Sequence, residues 1–407
     1  MTKKSKILFI LPAHRTDLYD FLEEKIEGEC HTLFFESAEQ KPNDKKASFI
    51  AGEYFWQDYI TPISLIKEIN PDKIIFGEIF DIKQVALCVY ANYKKIPTFF
   101  IDHGAAGHLE SQIAIQKQLQ IPNIKKRLKK IRKELFSIIR NRIFYYSCLF
   151  SLLSFKSTCK YLIFPFYSLL FSSYNALHKI SFEERCASIQ IIFSKKNQEE
   201  HSYIYKSAKK IFITGVPYFD NFINVPSAED NYILFIDTPF YESGWKNWNA
   251  SHHQKIAETI NKIAVHQNTV IHLMLHPRSD KQLWTGYKFD EKVKIHQNEK
   301  GEELYLKAKL IIGFPSSVII GALCKRKNIV LTGWHPQPEI IGIDFSKYDL
   351  CHSSLDIGQA EKDINHWMQN NLCIKNTEAY ERFIKEYNYP FDGQAADRIT
   401  QIINSHS

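Results

Sequence analysis

The sequence predicts an α/β protein of two Rossmann-like domains, with a basic and aromatic helical insert in the first. Three observations carry that expectation. Short apolar runs of strand type alternate with helical patterns, as in parallel sheets covered on both faces. The alternation extends over 407 residues, long for one domain and comfortable for two. It breaks near residue 120 and resumes just before residue 190.

Ile7–Leu11 reads as a first buried strand. The preceding Met1–Lys6 is basic, but the apolar run is too short for a signal peptide. Asp17–Glu27 has a helical pattern, His31–Phe35 is a second strand, and 36–52 is polar and loop-like. Thr61-Pro62 opens a helix through Ile69, with proline where its missing N–H costs nothing. Lys73–Phe76 is a short buried strand, Ile82–Tyr93 a helix and Pro97–Ile101 a further strand. After the break come strands Ile189–Phe193 and Ile211–Thr214 and the turn Gly215-Val216-Pro217. Val225-Pro226-Ser227 reads as a linker, giving domains at 1–224 and 225–390, with 391–407 as a helix able to return to the first. The second half reads as strand Tyr232–Asp237, helix 251–265, strand Val270–Leu275 and strand Val293–Ile295. Helix 302–308, strand Leu310–Phe314, helix 316–325, strand Ile329–Leu331 and a helical tail from Asp356 follow.

The net charge of +7 hides an uneven distribution. Ile124–Lys160 holds eleven Lys and Arg against Glu134 alone, a local +10, so the rest of the chain carries −3. Within this insert, at about 120–185, Lys125, Lys126, Arg127, Lys129, Lys130, Arg132 and Lys133 alternate with apolar residues at helical spacing. Residues 143–171 then carry only Lys156 and Lys160 among many Phe, Tyr, Leu and Ile. The uncharged stretches fall short of the ~20 residues a spanning helix needs, and Pro165 interrupts the second. A polybasic helix beside apolar segments suits an anionic membrane surface. The alternatives are a helical hairpin packed on its own domain, or a contact between copies in a homo-oligomer. Nucleic acid is not an expected partner, because the aromatics follow the basic residues instead of lying among them. Eight cysteines without a C-x-x-C pair fit a reducing cytoplasm and no zinc site. The expected location is therefore the inner face of the cytoplasmic membrane.

Candidate chemistry lies at strand ends, where open α/β sheets bind ligands. His103 follows the Pro97–Ile101 strand, and the small residues Gly104 to Gly107 leave room for a ligand. A neutral imidazole there can take a proton from a hydroxyl, while Asp102 either orients the ring or caps a turn. His276-Pro277-Arg278 follows the Val270–Leu275 strand, and Arg278 can pair with a phosphate through two N–H groups. Pro315-Ser316-Ser317 opens a helix, so two hydroxyls and free N–H groups make an anion site. Glu339, in the rigid loop Gly333–Glu339, can accept from ribose hydroxyls, and His14 and Arg15 after the first strand can meet an acceptor. No Asp-x-Asp occurs, against a donor gripped through a divalent metal. No P-loop or G-x-G-x-x-G occurs, against an ATPase or a dinucleotide enzyme.

Taken in order, His-Gly, Gly-x-Pro-x-x-Asp (Gly215, Pro217, Asp220), His-Pro, Ser-Ser and Asp-Gly (Asp392, Gly393) resemble GT-B transferases. Two groups are similar: the bacterial sialyl-, polysialyl- and Kdo-transferases, and the CDP-glycerol glycerophosphotransferases. The resemblance covers both halves but not the insert. It implies a GT-B fold, two Rossmann-like domains facing a central cleft. It further implies that His276, Ser316 and Ser317 hold the donor phosphate, with Gly215 of the same motif set also expected among the donor-binding residues. The base is either His103 or Glu242, since the acidic pair that the sialyltransferases carry before a glycine is represented here only by Glu242-Ser243-Gly244. The expected activity is a metal-independent glycosyltransferase, with no cofactor. It would take a nucleotide-activated sugar, a CMP-sugar first, to a glycan or glycolipid acceptor such as a growing capsule or lipopolysaccharide. The alternatives are polyol-phosphate transfer from a CDP-polyol, a GT-B-like sugar-nucleotide epimerase, and a membrane-bound scaffold without enzyme activity.

Overall fold

The computed structural model describes residues 4–11, 20–23, 25–34, 48–102, 104, 131–152, 154–170, 173–205, 210–223, 230–242, 248–297, 302–314, 316–335, 348–370 and 376–406. Their strands form two all-parallel sheets. The first holds β1 (Lys6–Ile10), β2 (Glu29–Phe34), β3 (Ile50–Phe55), β4 (Lys73–Phe76), β5 (Thr98–Ile101), β6 (Ile189–Ile192) and β7 (Ile211–Ile213), in the order β3-β2-β1-β4-β5-β6-β7. The second holds β8 (Asp230–Ile236), β9 (Val270–Met274), β10 (Val293–His296), β11 (Ala308–Gly313), β12 (Ile329–Thr332) and β13 (His352–Ser354), in the order β10-β9-β8-β11-β12-β13. Helices connect the strands of both, so each sheet is Rossmann-like. Each reverses strand order once, between β1 and β4 in the first and between β8 and β11 in the second.

Among the described residues, those up to 104, with 131–218 and 394–406, form one compact unit, and 219–393 form the other. The first core rests on strands that read as uninterrupted apolar runs. All four residues of each of β4, β5 and β6 are buried, as a sheet covered on both faces requires. Helix starts follow local chemistry. Thr61 accepts from the Ser64 N–H ahead of Pro62, and Asp81 makes a reciprocal capping box with Gln84. The terminal helix Ala395–Ser405 belongs to the first unit. Arg398 donates twice to the Thr214 carbonyl, and buried Lys73 reaches the Ile403 carbonyl at 2.7 Å.

Besides the helix expected over 17–27, of which the described residues show only a 3-10 turn at 20–22, and the basic helix of the insert, three elements depart from the sequence expectation. β3 falls partly in a stretch read as loop. It is an edge strand, half-exposed after Ile50, and so carries no apolar run. Its Gly52 is required by a neighbour, since a Cβ there would lie 2.5 Å from the His31 ring. β13, His-Ser-Ser, is the polar edge of the second sheet. The third departure is Pro165, which does not interrupt its segment but sits inside the helix Phe155–Leu170. Proline leaves the carbonyl four residues back without its N–H partner. That carbonyl belongs to Tyr161, and the Tyr145 hydroxyl donates to it at 3.0 Å.

The described part of the insert contains an antiparallel hairpin of the helices Leu135–Tyr146 and Phe155–Leu170. Tyr145 and Tyr161 stack at 3.9 Å, both fully buried, and the Arg142 guanidinium donates to the Pro165 carbonyl. Phe144, Tyr145, Tyr161 and Phe164 join the same core as Val85 and Leu87 of the Ile82–Tyr93 helix. The expected continuous basic helix is broken at Glu134, just before the hairpin begins. No described helix is long and apolar enough to cross a membrane.

Candidate functional site

The second sheet carries a cavity of about 440 Å³ at the carboxyl ends of its strands. It lies at the order reversal, where β8 delivers Asp237 and β11 leads to Ser316. β9 delivers His276 beside them, and β10 delivers His296 and Gln297. Its size suits a nucleotide-sized ligand.

Each wall is fixed by local bonds. The Pro277 turn folds back on itself: the Arg278 N–H donates to His276 Nδ1 at 3.0 Å, and the Ser279 N–H donates to the His276 carbonyl at 2.9 Å. Because Nδ1 accepts, a neutral His276 carries its proton on Nε2 and is a hydrogen-bond donor there. Gln297 clamps the same turn from β10, donating to the Ser279 carbonyl at 2.8 Å and the His276 carbonyl at 3.3 Å. The Ser279 hydroxyl donates to Asp237 at 2.5 Å, tying the turn to the end of β8. Burial pushes the Asp237 carboxyl from 3.8 up to about 6, partly opposed by that hydroxyl.

Opposite the turn, Ser316 is the N-cap of the helix Ser317–Cys324. Its side chain makes no capping bond, and its Oγ is buried without a hydrogen-bond partner. A buried polar atom of this kind needs a partner that the described residues do not provide. The first N–H groups of the helix add unsatisfied donors and the positive end of the helix dipole. The wall thus offers a hydroxyl, helix N–H groups and a histidine N–H, an arrangement able to hold an anion such as a phosphate, with no lysine or arginine among the described lining residues.

Not every residue expected at this site reaches it. His276, Ser316 and Ser317 line the cavity; Arg278 and Glu242 do not. Arg278 is exposed, because the turn that aims His276 inward sends the following side chain out. Glu242 is exposed as well, and its Oε1 accepts from the Asp280 N–H at 2.7 Å, so it fixes a loop. Gly215 belongs to the first unit, where a φ of +85° explains the glycine. Arg132 and Lys133 are exposed. His14, Arg15, His103, Lys125, Lys126, Arg127, Lys129, Lys130 and Glu339 lie outside the described residues.

Asp237, His296, Gln297 and Tyr305 also line the cavity but were not singled out from sequence. A polar residue at or just past the end of a strand is the signal that marks the first three. In the first unit, Asp102 at the end of β5 bonds His201 of the Lys195–Tyr205 helix at 3.1 Å. The next described residue, Gly104, has φ +91° and open space where a Cβ would stand, and Asn197 donates to its carbonyl at 3.2 Å. Asp102 and Gly104 are therefore both braced from that helix. At this sheet's order reversal, Glu78 is exposed just past β4. No group of three or more His, Cys, Asp or Glu among the described residues is placed to hold a metal.

No protein-family model matches the chain. No curated protein matches it in sequence. Solved structures do match across nearly its whole length. The wall teichoic acid polymerase TagF aligns over 98% of this chain and 88% of its own, with a TM-score of 0.53 and 12% identity. The UDP-GlcNAc 2-epimerase of Methanocaldococcus jannaschii, in complex with UDP-GlcNAc and UDP, covers 99% of this chain and 100% of its own, at a TM-score of 0.50 and 14% identity. S. aureus MnaA with UDP covers 100% and 96%, at 0.50 and 10%. At these identities the likeness concerns the fold, and the neighbours are enzymes of the GT-B fold: this chain has the two Rossmann-like domains of that class.

Proposed function

We propose that this protein is a metal-independent glycosyltransferase that moves a sugar from a nucleotide-activated donor, a CMP-sugar in the first instance, to a growing bacterial surface glycan. The observation that carries the proposal is the buried, unpartnered Ser316 hydroxyl beside His276 and a helix N-terminus, at the order reversal of the second sheet. A donor phosphate supplies the missing partner. In the reaction a base takes the acceptor hydroxyl proton and the freed oxygen bonds to the anomeric carbon. The bond from that carbon to the phosphate oxygen breaks, and the phosphate leaves with the electron pair. The His276 Nε2–H, the Ser316 hydroxyl and the helix N–H groups stabilise the charge that develops on it. Of the two candidate bases, His103 is preferred, because Glu242 is engaged with the Asp280 N–H.

A second reading, transfer of a polyol phosphate from a CDP-polyol, is favoured by the likeness to TagF. It breaks a P–O bond instead, so phosphate in the product separates the two. An epimerase, as among the other neighbours, needs no acceptor.

The test is thermal unfolding in the presence of CMP, CDP, UDP or GDP. A ligand at a hundredfold excess over its Kd stabilises the native state by about 2.7 kcal/mol. CMP or CDP is expected to raise the Tm by several degrees, and Ser316→Ala with His276→Ala is expected to abolish the shift. A shift with UDP alone moves the assignment to a UDP-sugar enzyme; no shift with any nucleotide overturns it.

A further inference from the structure

We propose that the outer face of the insert hairpin rests on an anionic lipid bilayer, and that a pocket at its base takes a lipid phosphate. This does not depend on the donor reading, because it concerns a different surface and needs no turnover.

Both hairpin helices are apolar on two sides. Their inner faces hold Phe144, Tyr145, Tyr161 and Phe164, each no more than 2% exposed. Away from that core both helices also expose large apolar side chains. On the first helix, Leu135, Phe136, Ile139 and Ile143 recur at helical spacing, and Phe136 is 82% exposed. On the second, Phe155, Leu162, Ile163, Phe166 and Leu170 do the same, and Phe155 is 86% exposed. One face of an amphipathic helix normally meets water with polar side chains. Two adjoining helices that present apolar stripes outward mark an interaction surface.

The charge of the insert selects the occupant: Arg132 and Lys133 are exposed just before the first helix, and Lys156 is exposed on the second. The sequence leading into the hairpin holds Lys125, Lys126, Arg127, Lys129, Lys130, Arg132 and Lys133. A twofold contact between copies would set this run against itself, since an isologous interface uses the same patch on both partners. An anionic bilayer supplies apolar depth and opposite charge together. Neither helix is a candidate to cross it, so the hairpin lies in the interface.

A pocket of about 130 Å³ adjoins the exposed face, with Phe136 at its rim. Lys83 and Arg140 line it together with Gln57, Ser137 and Asn141, and no carboxylate is among the lining residues. Two cations and three neutral hydrogen-bonding side chains match a phosphate. Arg140 is part of the first helix, three residues before Ile143, so the phosphate site and the apolar stripe share one element. A headgroup held there is at the depth where the neighbouring Phe136 enters the acyl region.

The experiment is flotation of the full chain with vesicles of phosphatidylcholine alone or containing phosphatidylglycerol. Anionic vesicles are expected to bind at least about tenfold more tightly, less so in high salt. Phe136→Ser with Phe155→Ser is expected to reduce that binding by about tenfold or more. Lys83→Gln with Arg140→Gln should reduce binding to anionic vesicles more than the weak binding to phosphatidylcholine, whose phosphate charge is balanced by choline, and so narrow the preference. Circular dichroism checks that both variants remain folded. Equal binding to the two vesicle types overturns the proposal, as does full binding by the folded phenylalanine variant. An unaltered preference in the Lys83/Arg140 variant overturns the phosphate pocket. If the phenylalanine variant instead converts a dimer to a monomer in sedimentation, the face belongs to a second copy and the bilayer reading fails.

Discussion

Asp237 is buried at the carboxyl end of β8, and burial raises its carboxyl from 3.8 to about 6. The folded state thus holds this proton more tightly than the unfolded chain does. Its favourable contribution is present in full below about pH 4 and is lost as pH rises through 6, costing up to about 3 kcal/mol at pH 8. Asp237→Asn keeps an acceptor for the Ser279 hydroxyl and removes the titration. It is expected to be about 1–3 kcal/mol more stable than the parent at pH 8, with the difference gone near pH 4. Urea unfolding at the two pH values checks this, and an equal difference at both would remove burial as the cause. The carboxylate remains useful because it ties the Ser279 end of the turn that presents His276. His276, Ser316 and Ser317 were legible in sequence because proline and serine directly follow apolar runs. Gln297 was not, because its role is to clamp a turn from the neighbouring strand, which only pairing reveals. Arg278 and Glu242 look alike to the sequence reader as polar residues near strand ends. The structure separates them from His276: Arg278 is exposed beyond the turn, and Glu242 is exposed and accepts from the Asp280 N–H.

At the scale of elements, the central strands were legible and the edges were not. β4 and the Ile82–Tyr93 helix have the bounds expected from their apolar runs and caps. β3 and β13 are half-exposed or polar, so periodicity cannot mark them; strand pairing makes them. Pro165 shows tertiary context overriding a local rule. Its helix continues because the Tyr145 hydroxyl replaces the missing N–H at the Tyr161 carbonyl. Tyr145→Phe leaves that buried carbonyl short of a partner and is expected to cost about 1–2 kcal/mol. Pro165→Ala restores an N–H, so the same Tyr145→Phe change should cost clearly less in that background. A double-mutant cycle in urea measures the coupling. Additive effects would show that the hydroxyl does not stand in for the helix bond. The hairpin's inner packing and its apolar outer face are separate properties, so this cycle tests folding of the insert without touching the surface proposed to meet lipid.

At the scale of the molecule, the helix Ala395–Ser405 follows the second unit in sequence and packs in the first. Ala395, Ala396, Ile399 and Ile403 are buried there. Lys73, at the start of β4, places its ammonium on the Ile403 carbonyl at 2.7 Å and the Asn404 carbonyl at 3.4 Å. Burial lowers the Lys73 pKa, but the ammonium sits at the negative end of the helix dipole, where a cation is favoured. Arg398 fixes the other edge of the sheet by donating to the Thr214 carbonyl, just past β7. One short helix therefore joins the middle of the first sheet to its edge. Lys73→Met is expected to destabilise the first unit by about 1–2 kcal/mol, through loss of a charged hydrogen bond to buried carbonyls. Truncation after Gly393 removes the helix entirely. It should strip hydrogen-exchange protection from β1, β4 and β7 while β8 to β13 keep theirs, since units with separate cores open separately. The nucleotide-induced shift, carried by the second unit, should survive the same truncation. Equal loss of protection in both sheets would mean that the terminal helix holds the molecule as one cooperative body instead of completing its first half.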